Sequence, residues 1–161
     1  MNANTLMVSA LLSLLPVSEL RGAIPYALSR GASLAIVFPF CVLLNIMISP
    51  LLFIFLSTLH KLFFRLKPYR VFFEGVIERA RKRITGKVEK FGYFGVVFFV
   101  AIPLPITGAY TGTLGAWVLG LNPIKTFLAV AGGVVIAGII VSLVSVLGIE
   151  ALSFFIRDEV F

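Results

Sequence analysis

The feature that most limits how this chain can fold is a pair of long apolar runs, residues 32–59 and 124–148, whose only charged residue is Lys125. An α-helix needs about 20 mostly apolar residues to cross the hydrocarbon core of a bilayer, and each run exceeds that length. A water-soluble domain of 161 residues does not bury this much apolar surface, since 60% of the residues are hydrophobic and the mean hydropathy is +1.08. The sequence therefore predicts an integral membrane protein.

Two further apolar segments, residues 6–15 and 95–102, reach only about half the length of a span before prolines interrupt them. Each segment continues through a break into a second short apolar piece, and each pair precedes one of the long runs. The first break reads PVSELRGAIP over residues 16–25, and the second reads PLPITG over residues 103–108. Both halves of the chain thus have the same order: short arm, break, short arm, long run.

Paired, interrupted apolar segments at corresponding positions are typical of transporters built from inverted repeats. If each broken segment is a re-entrant helical hairpin, each half contains one hairpin and one transmembrane helix, so the two halves have opposite orientations. The sequence then predicts a single all-α, polytopic membrane domain with residues 1–59 as the first repeat and residues 91–161 as the second. This arrangement places both termini outside the cell. Four ordinary spanning helices with kinks are the alternative, and they place both termini inside.

A basic segment, residues 60–90, joins the two halves. It holds ten Lys and Arg residues and three Glu residues, which accounts for the whole net charge of +7. Lys and Arg accumulate in cytoplasmic loops, so we expect this connector in the cytoplasm rather than on nucleic acid. Its apolar residues recur every three or four positions, which predicts an amphipathic helix in the headgroup layer. The alternative is a segment that only orients the chain and touches lipid nonspecifically.

Glu19 and Arg21 are the candidate charged groups of the first broken segment, because ionisable side chains inside a bilayer usually face a protein interior or an aqueous cavity. The broken conformation favoured by Pro16, Gly22 and Pro25 could bring both side chains to one cavity. Glu19 could exchange a proton or bind a cation, and Arg21 could hold an anionic group with its forked donors. Alternatively, the two charges neutralise each other or lie at the outer interface.

The second break supplies neutral polar groups beside glycines and prolines. Backbone groups freed from helical hydrogen bonds could bind an ion or a substrate there, although the same small residues could serve close helix packing. Asn45 adds a polar position to the first long run, as the wall of a site, a hinge or a packing residue. The candidate substrate- or ion-binding residues are therefore Glu19, Arg21, Gly22, Pro25, Asn45, Pro103, Pro105, Thr107, Gly108, Tyr110 and Thr111.

The composition predicts no cofactor, no metal site and no enzyme. Cys41 and His60 are the single residues of their types, so no His/Cys set exists for zinc or iron. Asp158 is the only aspartate, which removes an aspartyl pair, and His60 has no evident serine partner. An intramembrane lipid-modifying enzyme built around Glu19 is the one enzymatic alternative that the residues leave open.

The strings PVSELRGAIPYALSRG (residues 16–31) and IPLPITGAYTGTLGAWVLGL (residues 102–121) resemble the small multidrug export protein family of prokaryotes. That resemblance covers nearly the whole chain and implies a membrane transporter. More distantly, the two-hairpin layout is similar to DedA-type membrane proteins, which are associated with moving polyprenyl-phosphate or phospholipid and with proton coupling. This second resemblance implies that Glu19 is the acidic residue of the first hairpin. DedA-type proteins carry an arginine near the second break, whereas this chain has no arginine between Lys90 and Lys125.

The expected function is that of a transporter or flippase, which moves a small solute, a drug-like molecule or an anionic lipid through a cavity between the two hairpins. The alternative is a noncatalytic protein that organises or assembles other membrane components. One copy with two spans and two hairpins offers little lipid-shielded interior, so we expect a homodimer in the plasma membrane. Its expected partners are membrane lipids and a small-molecule or lipid-phosphate substrate.

Overall fold

The computed structural model describes residues 3–63, 74, 75, 78, 91–104 and 107–158, with the side chains of all of these except 59–63 and 149–158. Six helices have their bounds within these ranges: α1 (Ala3–Leu14), α2 (Glu19–Ser29), α3 (Leu34–Phe63), α4 (Tyr93–Ala101), α5 (Ala109–Val118) and α6 (Pro123–Asp158). The amphipathic connector predicted at residues 60–90 falls almost entirely outside the described residues and stays a prediction.

The helices follow the order that the apolar pattern predicts, two short and one long in each half. α1, α2, α4 and α5 have 12, 11, 9 and 10 residues. At 1.5 Å per residue none of the four reaches across a hydrocarbon core of about 30 Å. The long helices contain the stretches Leu34–Thr58 and Pro123–Gly148, of 25 and 26 residues, which are long and apolar enough to cross a membrane. The all-helical fold and the two long apolar helices are therefore confirmed.

The first break is shorter than the predicted segment 16–25, because only residues 15–18 leave the helical path. Pro16 ends α1, since proline disfavours helical geometry in the residue before it. α2 resumes at Glu19 and continues through Pro25, so the broken conformation predicted as far as Pro25 is wrong. The turn between α1 and α2 is made partly by Glu19 itself, whose φ of 45° lies in the left-handed region that side chains with a Cβ rarely adopt.

The second break lies between α4 and α5. Thr107 organises its described part, because the side-chain oxygen Oγ1 lies 2.8 Å from the carbonyl oxygens of Ile102 and Leu104 and accepts the Leu104 N–H at 3.2 Å. Pro103 interrupts the helix after Ala101, as proline does by removing a backbone donor. Pro105 lies outside the described residues.

The two halves share one core. α3 and α6 pack against each other, α2 packs on both of them, and α5 also packs on both. Each second arm therefore contacts the long helix of the opposite half as well as that of its own half. The buried core cluster contains side chains from these four helices and from α4, and its most deeply buried members include Ile24, Val37, Val100, Val130 and Val134.

α4 runs parallel to α6 in close contact with it. Lys125 at the start of α6 lies over the ring of Tyr93 at the start of α4. Further along both helices, a Cβ atom at Gly133 would come within 2.6 Å of Val100 Cβ and 2.9 Å of the Val97 carbonyl oxygen. Glycine at position 133 thus allows the two backbones to approach closely, as small residues do in membrane helix pairs.

Candidate functional site

The two motifs that surround the breaks meet in the fold, and Glu19 makes the first contact. Only 6% of Glu19 is exposed, and its carboxylate accepts hydrogen bonds from the backbone N–H groups of Ala109 and Tyr110, the first two residues of α5. The first N–H groups of a helix have no partner within the helix, and the helix dipole favours a negative charge there. Glu19 therefore caps a helix that belongs to the opposite half of the chain.

Gly108 provides the space for this carboxylate. Gly108 is the N-cap residue of α5, and as a glycine it has no side chain that could cap this helix. A Cβ atom at Gly108 would lie 2.7 Å from the carboxyl carbon of Glu19 and closer still to Oε2. Any side chain at position 108 would thus collide with the carboxylate, so the glycine and Glu19 depend on each other.

Arg21 contacts the other part of the same break. Its guanidinium donates hydrogen bonds to the backbone carbonyls of Leu104 and Thr107, and it lies 3.2 Å from the Thr107 hydroxyl oxygen. These carbonyls belong to a loop, and backbone acceptors at membrane depth need a partner from within the protein. The planar fork of arginine suits two acceptors at once. Arg21 therefore binds two carbonyl groups of the break, while Glu19 binds two N–H groups at the start of the helix that follows it.

The convergence of Glu19 and Arg21 on one place has a local cause. Two residues apart in a regular helix, their side chains would point to different sides. Glu19 is the first residue of α2 and its φ of 45° is not helical, so the two side chains reach the same break from the end of the helix. Conformations of this kind cost about 1–3 kcal/mol and cluster at functional sites.

Two other candidate residues hold the end of α1. The Tyr110 hydroxyl donates to the Leu14 carbonyl at 2.5 Å, and the Asn45 side-chain amide donates to the Ser13 carbonyl at 2.9 Å. Both carbonyls lie in the last turn of α1, where helical acceptors have no partner within the helix. Asn45 is only 1% exposed. Its contact favours the interpretation of Asn45 as a packing residue that positions the first break.

The remaining candidates are spread around these contacts. Gly22 lies in the first turn of α2, and a Cβ atom there would come within 2.9 Å of the Cβ atom of Ser18, the N-cap residue of that helix. Pro25 is inside α2, Pro103 is in the second break, and Thr111 is half-buried in α5.

Thr113 is a polar group of the same segment that is not among the predicted site residues, and it is more deeply buried than Thr111. Thr113 is 0% exposed, as is Ser49 on α3, and neither hydroxyl has a hydrogen-bond partner among the described residues. α5 packs on both long helices, so more than one of its faces is covered. The spacing of small residues along α5 therefore did not show which threonine would be enclosed.

An apolar groove of about 220 Å³ opens beside the first break. It is lined by Leu14, Ile48, Leu51, Leu52, Phe55 and Tyr110. Tyr110 lies two residues after Gly108 and donates to the Leu14 carbonyl, so this groove lies next to the residues that hold the two breaks together. No group of three His, Cys, Asp or Glu residues that could bind a metal ion occurs in the part of the chain that the structure describes.

Two helices long and apolar enough to cross a membrane define the chain as a helical membrane protein, with a buried acid and a half-buried arginine where its two helix breaks meet. The model of the family described as "Putative small multi-drug export protein" matches residues 19–140, so the chain belongs to that family. The matched region begins at Glu19 and includes Arg21 and the whole second break. No curated protein and no solved structure matches the chain significantly. The more distant similarity to DedA-type proteins stays a prediction.

Proposed function

We propose that this protein is a membrane transporter or flippase whose translocation site is the place where the two breaks meet. The observation that carries the proposal is that Glu19 and Arg21, from one half of the chain, bind the free backbone groups of the break in the other half. Membership of an export family supports it. The transported molecule is a small solute, a drug-like molecule or an anionic lipid.

An anionic group of the substrate can replace the Glu19 carboxylate in the contact between the two breaks. The N–H groups at the start of α5 and the guanidinium of Arg21 are both suited to an anionic group. In the described structure the Glu19 carboxylate accepts hydrogen bonds from those N–H groups. Protonation of Glu19 would remove the negative charge that holds it there, so proton uptake would free these N–H groups and favour the binding of an anionic substrate group at the same place.

In a noncatalytic organising protein, these buried charges would cost free energy without serving a function. Buried charges cost free energy even when they are paired, and apolar residues of similar size often pack at least as well. A buried acid and a half-buried arginine at two facing breaks therefore favour a site that changes its contacts over a scaffold that keeps them. We propose no catalytic reaction for Glu19.

The arms also support an arrangement as two re-entrant hairpins in an inverted repeat. All four arms are too short to span, and the second arm of each half packs on the long helix of the other half, as a two-fold relation between the halves requires. We place the termini outside the cell, the connector at residues 60–90 in the cytoplasm, and two copies in a homodimer in the plasma membrane.

Cysteine labelling tests this topology. Asn4 and Arg30 are exposed at opposite ends of the first broken segment. With a re-entrant hairpin, Asn4→Cys and Arg30→Cys should both react with an impermeant thiol reagent added to intact cells. With kinked spanning helices, Arg30→Cys should react and Asn4→Cys should react only after permeabilisation. The native Cys41 is 0% exposed and serves as the unlabelled background.

Glu19→Gln tests the function. The amide keeps the size of the side chain but removes its charge, so the protein should fold while transport falls at least about tenfold. The measurement uses proteoliposomes and two probes, a fluorescent drug-like dye and a fluorescent phosphatidylglycerol whose flipping is followed by dithionite quenching. Glu74→Gln, at an exposed position, is the control. Unchanged rates in Glu19→Gln, or wild-type rates equal to those of empty vesicles for both probes, would contradict the proposal.

A further inference from the structure

A second groove lies between the starts of α4 and α6, at the end of α4 away from the second break. It has a volume of about 350 Å³ and is lined by Tyr93, Phe94, Val97, Lys125, Leu128 and Ala129. Five of these residues present apolar surface, and Phe94 and Leu128 are 74% and 63% exposed. The groove is therefore an open, apolar seam with one cation.

The cation stands beside a fixed aromatic ring. Lys125 Nζ lies 5.9 Å from the centre of the Tyr93 ring. The Tyr93 hydroxyl accepts the backbone N–H of Asn122 at 3.1 Å, which ties the start of α4 to the start of α6. Tyr93 thus holds the charged end of the groove in place.

Both helices present their positive ends to this side. α4 and α6 run parallel, since Tyr93 lies near Lys125 and Val100 lies near Gly133. Gly92 precedes α4 and makes no side-chain cap. The Asn122 side chain accepts the N–H groups of Ile124 and Lys125 at 3.0 and 3.2 Å, so α6 is partly capped. Two parallel helix dipoles and one lysine therefore add positive potential at one end of an apolar groove.

We propose that this groove binds one phospholipid with an anionic headgroup. The phosphate lies at Lys125 and the start of α4, and one acyl chain lies along Phe94, Val97 and Leu128. A free phosphate would use only the charged end and leave the apolar walls exposed, while a neutral apolar molecule would make no use of the lysine. Both parts of the groove match a phospholipid, and in the proposed topology they face the cytoplasmic leaflet, where anionic lipids are concentrated. The inference does not depend on transport.

The test measures lipid binding to the purified protein in a neutral detergent by native mass spectrometry. Dioleoyl phosphatidylglycerol and dioleoyl phosphatidylcholine share the same acyl chains and differ in headgroup charge. Phosphatidylglycerol should bind more tightly to the wild type, and Lys125→Gln should weaken it about fivefold, the equivalent of about 1 kcal/mol per lysine near an anionic lipid. Phe94→Ala should weaken both lipids, because it removes apolar wall from an exposed position.

Arg30→Gln is the matched control, since Arg30 lies 5.6 Å from the ring centre of Tyr26 and forms the corresponding cation and aromatic pair at the end of α2. It should leave binding of phosphatidylglycerol unchanged, and Lys125→Arg should retain it. The proposal is overturned if Lys125→Gln binds phosphatidylglycerol as well as the wild type or if Arg30→Gln loses as much. Equal binding of both lipids to the wild type, or displacement of phosphatidylglycerol by glycerol 3-phosphate at equal concentration, would also overturn it.

Discussion

Gly108→Ala is expected to abolish transport of both probes and to destabilise the fold by about 3 kcal/mol or more. The added Cβ would lie 2.7 Å from the carboxyl carbon of Glu19, so the carboxylate has to leave the N–H groups of Ala109 and Tyr110. Overpacking of a buried position costs about 1–3 kcal/mol, and a buried polar group without its partners costs a similar amount again. Thermal unfolding in detergent and the two proteoliposome assays measure both effects.

Gly108 also has a positive φ, +156°, so part of the cost of Gly108→Ala is backbone strain. Gly120→Ala is the control for a positive φ without a collision, because φ is +69° there and a Cβ atom would meet nothing within 4 Å. The control should therefore lose about 1 kcal/mol from strain alone and keep its transport activity.

Glu19→Asp provides a second check, because the shorter side chain withdraws the carboxylate from position 108. The double variant should be more stable than the sum of the two single changes predicts, which a double-mutant cycle measures. Equal behaviour of the Gly108 and Gly120 variants, or strict additivity in the cycle, would show that Glu19 does not occupy the space above Gly108.

The overall architecture could be predicted because it depends on local properties of the chain. Two apolar runs long enough to span, with Lys125 as their only charged residue, predicted α3 and α6. The prolines at positions 16 and 103 predicted where the short arms end. The proline at position 25, in contrast, does not end a helix. The local sequence did not reveal that α2 continues through Pro25, since surrounding packing can stabilise a helix that has lost one hydrogen bond.

The contacts of the candidate site could be predicted only in part. Rare ionisable residues in an apolar segment identified Glu19 and Arg21 as residues of interest. Their partners are backbone groups 83 to 91 residues away in the sequence, and no pattern of side chains shows which N–H or carbonyl groups a folded chain leaves free. Gly108 was predicted as part of an unwound segment whose backbone groups could bind an ion or a substrate, whereas in the structure it provides the space for a carboxylate. Such a role depends on tertiary packing.

The reciprocal swap Glu19→Arg with Arg21→Glu is expected to yield a protein without transport activity and with much less folded material. The two residues have partners of opposite polarity: Glu19 accepts from N–H groups at the start of α5, and Arg21 donates to carbonyls of the second break. The swap places a cation at a positive helix end and a carboxylate against carbonyl oxygens. Both interactions become repulsive although the net charge is unchanged.

A pair whose only role is mutual neutralisation predicts the opposite result, because the swapped protein still contains one acid and one base at the same two positions.

Arg21→Lys is expected to give a result between these two cases. It keeps the charge but cannot reach two carbonyls with a planar fork, so it should lose at least one charge-assisted hydrogen bond, worth about 1.5–3 kcal/mol. Size-exclusion chromatography of the detergent extract and the same two transport assays distinguish these outcomes, with Arg30→Glu as a charge reversal at an exposed position outside the break. Full activity of the swapped protein would show that the two charges only neutralise each other. The contact of Glu19 and Arg21 with the opposite half would then be packing in a scaffold.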